Sequence, residues 1–92
     1  MATYNAICVC VEGGDTFRTL EKTWIRLARY DAPKEGKPGY YEARRLLTYL
    51  ISGKEIVYEQ VSTLDGQVVA EVWQDGKNVN DLMINSGYKK KK

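Results

Sequence analysis

The alternation of hydrophobic and polar positions predicts three strands in the first third of the chain. Residues 3–11 are β-branched, aromatic or small, and a Glu-Gly-Gly turn signal follows them. Residues 15–20 form a second run, and residues 23–30 alternate from one face to the other. Pro33 has no N–H to donate to a strand ladder, so the sheet is expected to stop before it. The pattern therefore predicts a three-stranded meander, followed by a loop over residues 34–39.

The middle of the chain changes to the spacing of an amphipathic helix. Five apolar residues recur at helical intervals and predict a helix over residues 41–52 that ends at Gly53: Ala43, Leu46, Leu47, Leu50 and Ile51. Two further strands are predicted at residues 54–61 and 68–73, each next to an Asp-Gly turn. A short helix over residues 78–86 completes the pattern.

Three strands, a helix, two strands and a helix is the order of elements in the OB-fold barrel. Closing such a small sheet into a barrel also removes most of its exposed edges. We therefore expect a mainly β fold over residues 1–88. It is a five-stranded OB-fold barrel with a helix between strands 3 and 4 and a short C-terminal helix. The lysines at 89–92 are expected to form a basic tail outside that domain.

The composition excludes several classes of function. The 92 residues include no histidine, which is the usual general base and metal ligand, so serine triads, papain-like dyads and His-ligated metal centres are excluded. No apolar run approaches the ~20 residues of a membrane span, so no membrane association is expected. Cys8 and Cys10 lie two apart on a predicted strand and are expected to pack rather than to form a disulfide.

The positive charge is concentrated at one end of the chain. Four of the 14 basic residues are Lys89–Lys92, so the other ten face 12 acidic residues and leave the body with a net charge of −2. A polyanion would therefore have to bind at a local patch or at the tail. The N-terminus lacks the basic region and long apolar segment of a signal peptide, and a cytoplasmic location is the expectation.

Several short motifs, in this order, resemble the staphylococcal nuclease, or thermonuclease, family. They are Gly13-Gly14-Asp15-Thr16-Phe17-Arg18, Ile25-Arg26-Leu27, Asp31-Ala32-Pro33, Tyr41-Glu42-Ala43 and Asp75-Gly76-Lys77-Asn78-Val79-Asn80. The resemblance covers roughly residues 7–88 and implies an OB-fold. It also implies hydrolysis of phosphodiester bonds in DNA and RNA, with a bound Ca²⁺ that polarises the phosphate.

The resemblance assigns a calcium site to three residues. Asp15 and Asp31 match the family's carboxylate ligands, and Ala32 stands where a main-chain carbonyl serves as the third ligand. Gly13 replaces the first aspartate of the family's Asp-Gly-Asp-Thr motif. That replacement removes an acidic group close to the metal, and any Ca²⁺ binding is expected to be weak.

Two of the catalytic roles that the resemblance implies lack their residue. Arg26 matches the first catalytic arginine, but Lys34 stands where the family has its glutamate base and Gln67 where it has its second arginine. Losing a positioned base costs about 10²–10⁴-fold in rate, and losing one transition-state donor about 10²–10³-fold. Glu35, one residue along, is a candidate replacement base. We therefore predict a degenerate nuclease site.

A nucleic-acid-binding module is the function that the sequence favours. A basic and aromatic surface is predicted to bind single-stranded DNA or RNA through Arg26, Arg29, Lys34, Lys37, Tyr40 and Tyr41. A solvated loop, with Arg26 in a structural ion pair, explains the same residues. Trp24 and Trp73 are expected to line the barrel core. A Ca²⁺-dependent nuclease and a scaffold domain with a protein partner remain the alternatives.

Overall fold

The structure is a computed structural model that describes residues 2–88, so the predicted basic tail at 89–92 lies outside the described residues. The elements, in chain order, are β1 (Tyr4–Val11), β2 (Thr16–Thr19), β3 (Trp24–Leu27), α1 (Tyr40–Ile51), β4 (Glu55–Leu64), β5 (Gln67–Gln74), β6 (Lys77–Asn78) and α2 (Val79–Asn85). No helix within residues 2–88 has the length and apolar character that crossing a bilayer requires.

Five of the strands close into a barrel. The strand order is β3-β2-β1-β4-β5-β6, and neighbours in this order are antiparallel. β3 also pairs with β5, in parallel, and this pairing joins the two ends of the five-stranded sheet. A helix lies between the third and fourth strands and another at the C-terminal end. The predicted mainly β, OB-like architecture is therefore confirmed.

Alternate residues of β2 and β3 point into the barrel. Phe17 and Ile25 are fully buried, and Leu27 is nearly so. One face of α1 covers this core with Leu47 and Ile51, as the helical spacing in the sequence predicts. Arg18 on β2 and Trp24 and Arg26 on β3 lie on the opposite face and are half-buried.

The third strand is shorter than the sequence indicates. The alternation extends to residue 30, but β3 ends at Leu27 because Arg29 adopts a left-handed backbone conformation with φ of 65°. The expectation that Trp24 lines the core is also wrong. Its core-facing neighbour is Ile25, and Trp24 itself is half-buried on the opposite face, as is Trp73 on β5.

The two cysteines act as packing residues, and neither forms a disulfide. Cys8 is fully buried, whereas Cys10 is half-buried and follows an irregularity in the pairing of β1 with β2. Burial raises the pKa of the Cys8 thiol to about 11. A thiol with so high a pKa stays protonated at neutral pH and is a poor nucleophile.

A buried amide side chain holds α2 against the barrel. Asn80 is fully buried, and its Nδ2 donates hydrogen bonds to the carbonyl oxygens of Ala28 and Ala70, at 2.9 and 3.0 Å. Its Oδ1 accepts a hydrogen bond from the Val72 N–H at 2.8 Å. One side chain therefore satisfies three main-chain groups on β5 and at the end of β3.

Replacing this amide is expected to destabilise the fold strongly. Asn80→Ala leaves three buried backbone groups without these partners, and we expect the free energy of unfolding to fall by about 2–4 kcal/mol. Urea denaturation followed by circular dichroism measures the loss. Asn85→Ala, at an exposed position of the same helix, is the matched control and should change stability by less than about 0.5 kcal/mol. Equal losses in the two variants would contradict the role given to Asn80.

Candidate functional site

A cleft of about 270 Å³ opens where the end of β1, the outer face of β3 and the loop before α1 meet. It brings together five of the residues singled out in the sequence, along with the candidate replacement base. These six are Asp15, Arg26, Lys34, Glu35, Tyr40 and Gln67. They come from four separate segments of the chain, so the barrel is what assembles them.

The centre of the site is an arginine between two carboxylates. The Arg26 Nη2 lies 2.5 Å from Oδ1 of Asp31 and 3.6 Å from Oδ2 of Asp15. Arg26 is held on β3 directly opposite Thr16 of β2, while Asp31 lies on the segment that leaves the barrel. The Asp15 side chain is nearly buried, and that of Asp31 is 64% exposed. Arg26 therefore forms ion pairs with Asp15 and Asp31, as the structural alternative in the sequence analysis describes.

Asp15 is also fixed by hydrogen bonds to its own surroundings. Its Oδ1 accepts from the Thr16 hydroxyl at 3.0 Å, and its Oδ2 accepts from the Ala32 N–H at 3.1 Å. Asp15 therefore ties the segment after β3 to the start of β2. Its role in this arrangement is to position the chain as well as to balance the charge of Arg26.

This arrangement does not fit the calcium site that the resemblance implies. Ca²⁺ takes six to eight oxygen ligands, but here a guanidinium cation lies between Asp15 and Asp31. The Asp15 Oδ2 also accepts the hydrogen bond from the Ala32 N–H, so this carboxylate is already engaged by two partners on that side. Over residues 2–88, no group of three or more Asp, Glu or Cys side chains is placed to hold a metal ion.

The three positions that depart from the nuclease pattern, Gly13, Lys34 and Gln67, all line the cleft. Lys34 is exposed at its rim, at the start of a tight turn in which the Lys37 N–H donates to the Lys34 carbonyl oxygen at 2.9 Å. Gln67 is the first residue of β5 and contributes a neutral amide. Glu35 supplies a carboxylate next to Lys34. Lys34 and Gln67 therefore stand where the resemblance implies a glutamate base and a second arginine, and the cleft lacks both groups at these positions.

Two tyrosines lie at the edge of the cleft, on the first turn of α1. The Tyr40 hydroxyl donates to the Glu12 carbonyl oxygen at 3.1 Å, so this ring is held against the end of β1. Tyr41 is 65% exposed, and its ring meets that of Tyr40 edge to face at 5.1 Å between centroids. Tyr41 thus offers a free aromatic surface, although it does not itself line the cleft.

Arg29 is placed away from the other predicted site residues. Its guanidinium donates two hydrogen bonds to the Glu71 carboxylate, at 2.7 and 2.8 Å, and a third to Asp81 at 2.9 Å. The hydrogen bonds from Arg29 hold the pKa of Glu71 below its usual range. Arg29 therefore links the end of β3 to β5 and α2, and it does not belong to the cleft.

Arg18 belongs to the first nuclease-like motif but is not among the residues that line the cleft. Period-two alternation along β2 places Arg18 on the same outer face as Thr16, which pairs with Arg26. The surface that carries Arg26 therefore extends one step beyond the cleft.

The floor of the cleft depends on close packing at a glycine. A Cβ on Gly14 would lie 2.6 Å from Cβ of Ala43 and 2.7 Å from Cβ of Ala32. Both distances are far below van der Waals contact, and both neighbours are short, rigid side chains. Only glycine lets α1 and the segment after β3 approach the start of β2 this closely.

A methyl group at this position is expected to disturb the cleft. Gly14→Ala should lower the free energy of unfolding by about 1–3 kcal/mol, because α1 and residue 32 must move apart. Gly13→Ala is the matched control, since its nearest contact is an ordinary 3.7 Å to the Tyr40 ring. Urea denaturation compares the two. A Gly14→Ala protein as stable as Gly13→Ala would show that the packing at residue 14 is looser than described.

The residues that line the cleft define its chemistry. No protein-family model matches the chain, and the search of curated proteins finds no match. What the cleft offers is an ion-paired arginine, an exposed lysine, a glutamine amide and neighbouring aromatic rings on an OB-like barrel.

Proposed function

We propose that the protein is a nucleic-acid-binding module with a staphylococcal-nuclease-like OB-fold and a degenerate nuclease site. Single-stranded DNA or RNA is the proposed partner. The observation that carries this proposal is that Arg26, Lys34 and Gln67 line one cleft. This cleft keeps groups that hold phosphate and lacks the groups at these positions that would cleave it.

The cations around the cleft support binding through phosphate contacts. Over residues 2–88, neither Lys34 nor Lys37 forms an ion pair, and both side chains are exposed. When such lysines neutralise phosphates, the counterions condensed on the nucleic acid are released, and this release favours association. Arg26 is held by its two carboxylates, so its contribution is to donate its remaining N–H groups to a phosphate oxygen.

The aromatic residues beside the lysines suit unpaired bases. Tyr41 exposes most of its ring one residue from Tyr40, whose own ring is braced by its hydrogen bond to Glu12. Bases of a single strand stack on such rings irrespective of their sequence. In a duplex the bases are already stacked on each other, which is why single strands are the proposed ligand.

Oligonucleotide binding is the direct test of the proposal. A fluorescein-labelled oligothymidylate should bind with an affinity that falls with salt, at a slope of about −0.7 for each phosphate neutralised. Lys34→Glu should weaken this binding about tenfold, because it replaces a cation in the cleft with an anion. Fluorescence anisotropy measures both the affinity and the salt slope.

The matched control for this charge reversal is Lys77→Glu, which makes the same change at an exposed position on β6 away from the cleft. Both variants keep residues 89–92, so any contribution from those lysines cancels. Equal effects of the two substitutions would point to overall charge rather than to the cleft. Absence of salt-sensitive binding in the natural protein would contradict the proposal and favour the protein-interaction hypothesis.

Calcium-dependent cleavage is expected to be absent from the natural protein. Lys34 cannot act as a carboxylate base, and Gln67 carries no charge to stabilise a transition state. Digestion of labelled denatured DNA in Ca²⁺ and in EDTA measures this. A Lys34→Glu/Gln67→Arg double variant is the companion, and cleavage by it alone would show that these positions account for the missing activity.

Cleavage by the natural protein would revive the nuclease alternative, provided that Asp31→Ala abolishes it. Glu35 would then be the candidate base, since it lines the same cleft. Cleavage that persists unchanged in Asp31→Ala would instead indicate a contaminating enzyme.

A further inference from the structure

The outer face of β2 and β3 carries a second pair of side chains next to the cleft. Thr16 pairs with Arg26 across the two strands, and Arg18 pairs with Trp24. Both pairs lie on the face opposite the core, because residues 17 and 25 between them are fully buried. The two rows are separated by two residues along each strand, or about 6.6–6.8 Å.

Arg18 and Trp24 form a stack on this face. The Arg18 Cζ lies 5.7 Å from the centroid of the Trp24 ring, and both residues are half-buried. A guanidinium over an indole is a cation–π pair, and its flat surface is itself a platform for stacking. The pair therefore places a cationic group and an aromatic ring together on this face.

The hydrogen-bonding capacity of Arg18 is not used up within the described residues. Its Nε is buried and finds no hydrogen-bond acceptor there. Over residues 2–88, Arg18 also has no carboxylate partner, whereas Arg26 and Arg29 each have two. A guanidinium without a carboxylate partner keeps its positive charge for an anionic ligand.

We propose that Arg18 and Trp24 are a second subsite for single-stranded nucleic acid, continuous with the cleft at Arg26. This inference rests on the proposed binding function. An oligonucleotide that leaves the cleft over Arg26 continues along the same sheet face to the Arg18–Trp24 pair. There Arg18 contacts a phosphate, and a base stacks on the pair. The chemical class of ligand is an oligonucleotide longer than the cleft alone accommodates.

The alternative is that the pair is a purely structural stack that covers the outside of the barrel. The two readings differ in what they predict for ligand binding and for length dependence. A structural stack affects stability only. A subsite affects the affinity for long oligonucleotides and leaves that for short ones unchanged.

The first measurement uses tryptophan fluorescence. In a Trp73→Phe background, Trp24 is the one tryptophan left in the chain. Oligothymidylate of about ten nucleotides should quench its emission in step with the anisotropy change of the labelled strand, because a stacked base quenches an indole. Emission unchanged at saturating oligonucleotide would overturn the proposed subsite.

The second measurement compares variants by anisotropy, with ten-nucleotide and two-nucleotide strands. Trp24→Leu should weaken binding of the longer strand on the order of tenfold, and Trp24→Phe, which keeps an aromatic face, by less than about threefold. Arg18→Gln should reduce the magnitude of the salt slope by about 0.7, because one phosphate contact is lost, and Arg18→Lys should leave the slope unchanged. Circular dichroism confirms that each variant is folded, and Arg18→Gln, for which the two readings predict different salt slopes, keeps the test decisive if Trp24→Leu unfolds.

The result separates this inference from the proposed function. Suppose that the natural protein binds oligonucleotides and Lys34→Glu weakens this binding, but every Arg18 and Trp24 variant binds both lengths normally. The proposed function of the cleft is then supported, and the second subsite is wrong. If the natural protein binds no oligonucleotide at all, the proposed function fails and the subsite with it.

Discussion

The buried Asn80 amide is the interaction on which the rest of the structure depends. Its side chain bonds to Ala28, where the chain leaves β3, and to Ala70 and Val72 of β5. These are the strands whose parallel pairing closes the barrel. The Ala28 N–H donates to the Ala70 carbonyl oxygen as well, so the closure point is held from both sides. The main chain at Ala28, where the segment from β3 to the cleft begins, is therefore held in place by hydrogen bonds.

A second anchor lies at the other end of that segment. The Asp15 carboxylate accepts the Ala32 N–H, so residues 29–32 run between two buried polar contacts. The left-handed turn at Arg29 and its ion pairs with Glu71 and Asp81 fix the path between them. The position of Asp31 next to Arg26 thus depends on the barrel closure as well as on Arg29 within the segment itself.

The sequence predicted both helices and five of the six strands because their patterns are local, and it missed the two-residue strand β6. It could not predict that β3 ends early, since the cause is a left-handed arginine that pairs with residues 42 and 52 positions away. Asn80 has no local signature either, because an asparagine in a short helix ordinarily faces solvent. The position of Trp24 was predicted wrongly because a large aromatic residue on a strand is more often in the core than outside it. The cleft brings together Asp15, Arg26, Lys34, Tyr40 and Gln67, whereas three residues that the sequence analysis placed on the same surface do not line it: Arg29, Lys37 and Tyr41.

The parallel pairing of β3 with β5 also constrains how the chain folds. Ile25 pairs with Val68, so the chain between the two strands spans nearly half of the described residues. Closing this loop costs conformational entropy, and the contacts between β3 and β5 offset that cost only once both strands have been formed. Asn80, which secures that closure, follows β5 in the chain. A ribosome must therefore synthesise the chain through β5 and the start of α2 before the closure is secured. Until then, the edges of β3 and β5 remain open to other strands, and it is during this interval that the nascent chain is most exposed to aggregation.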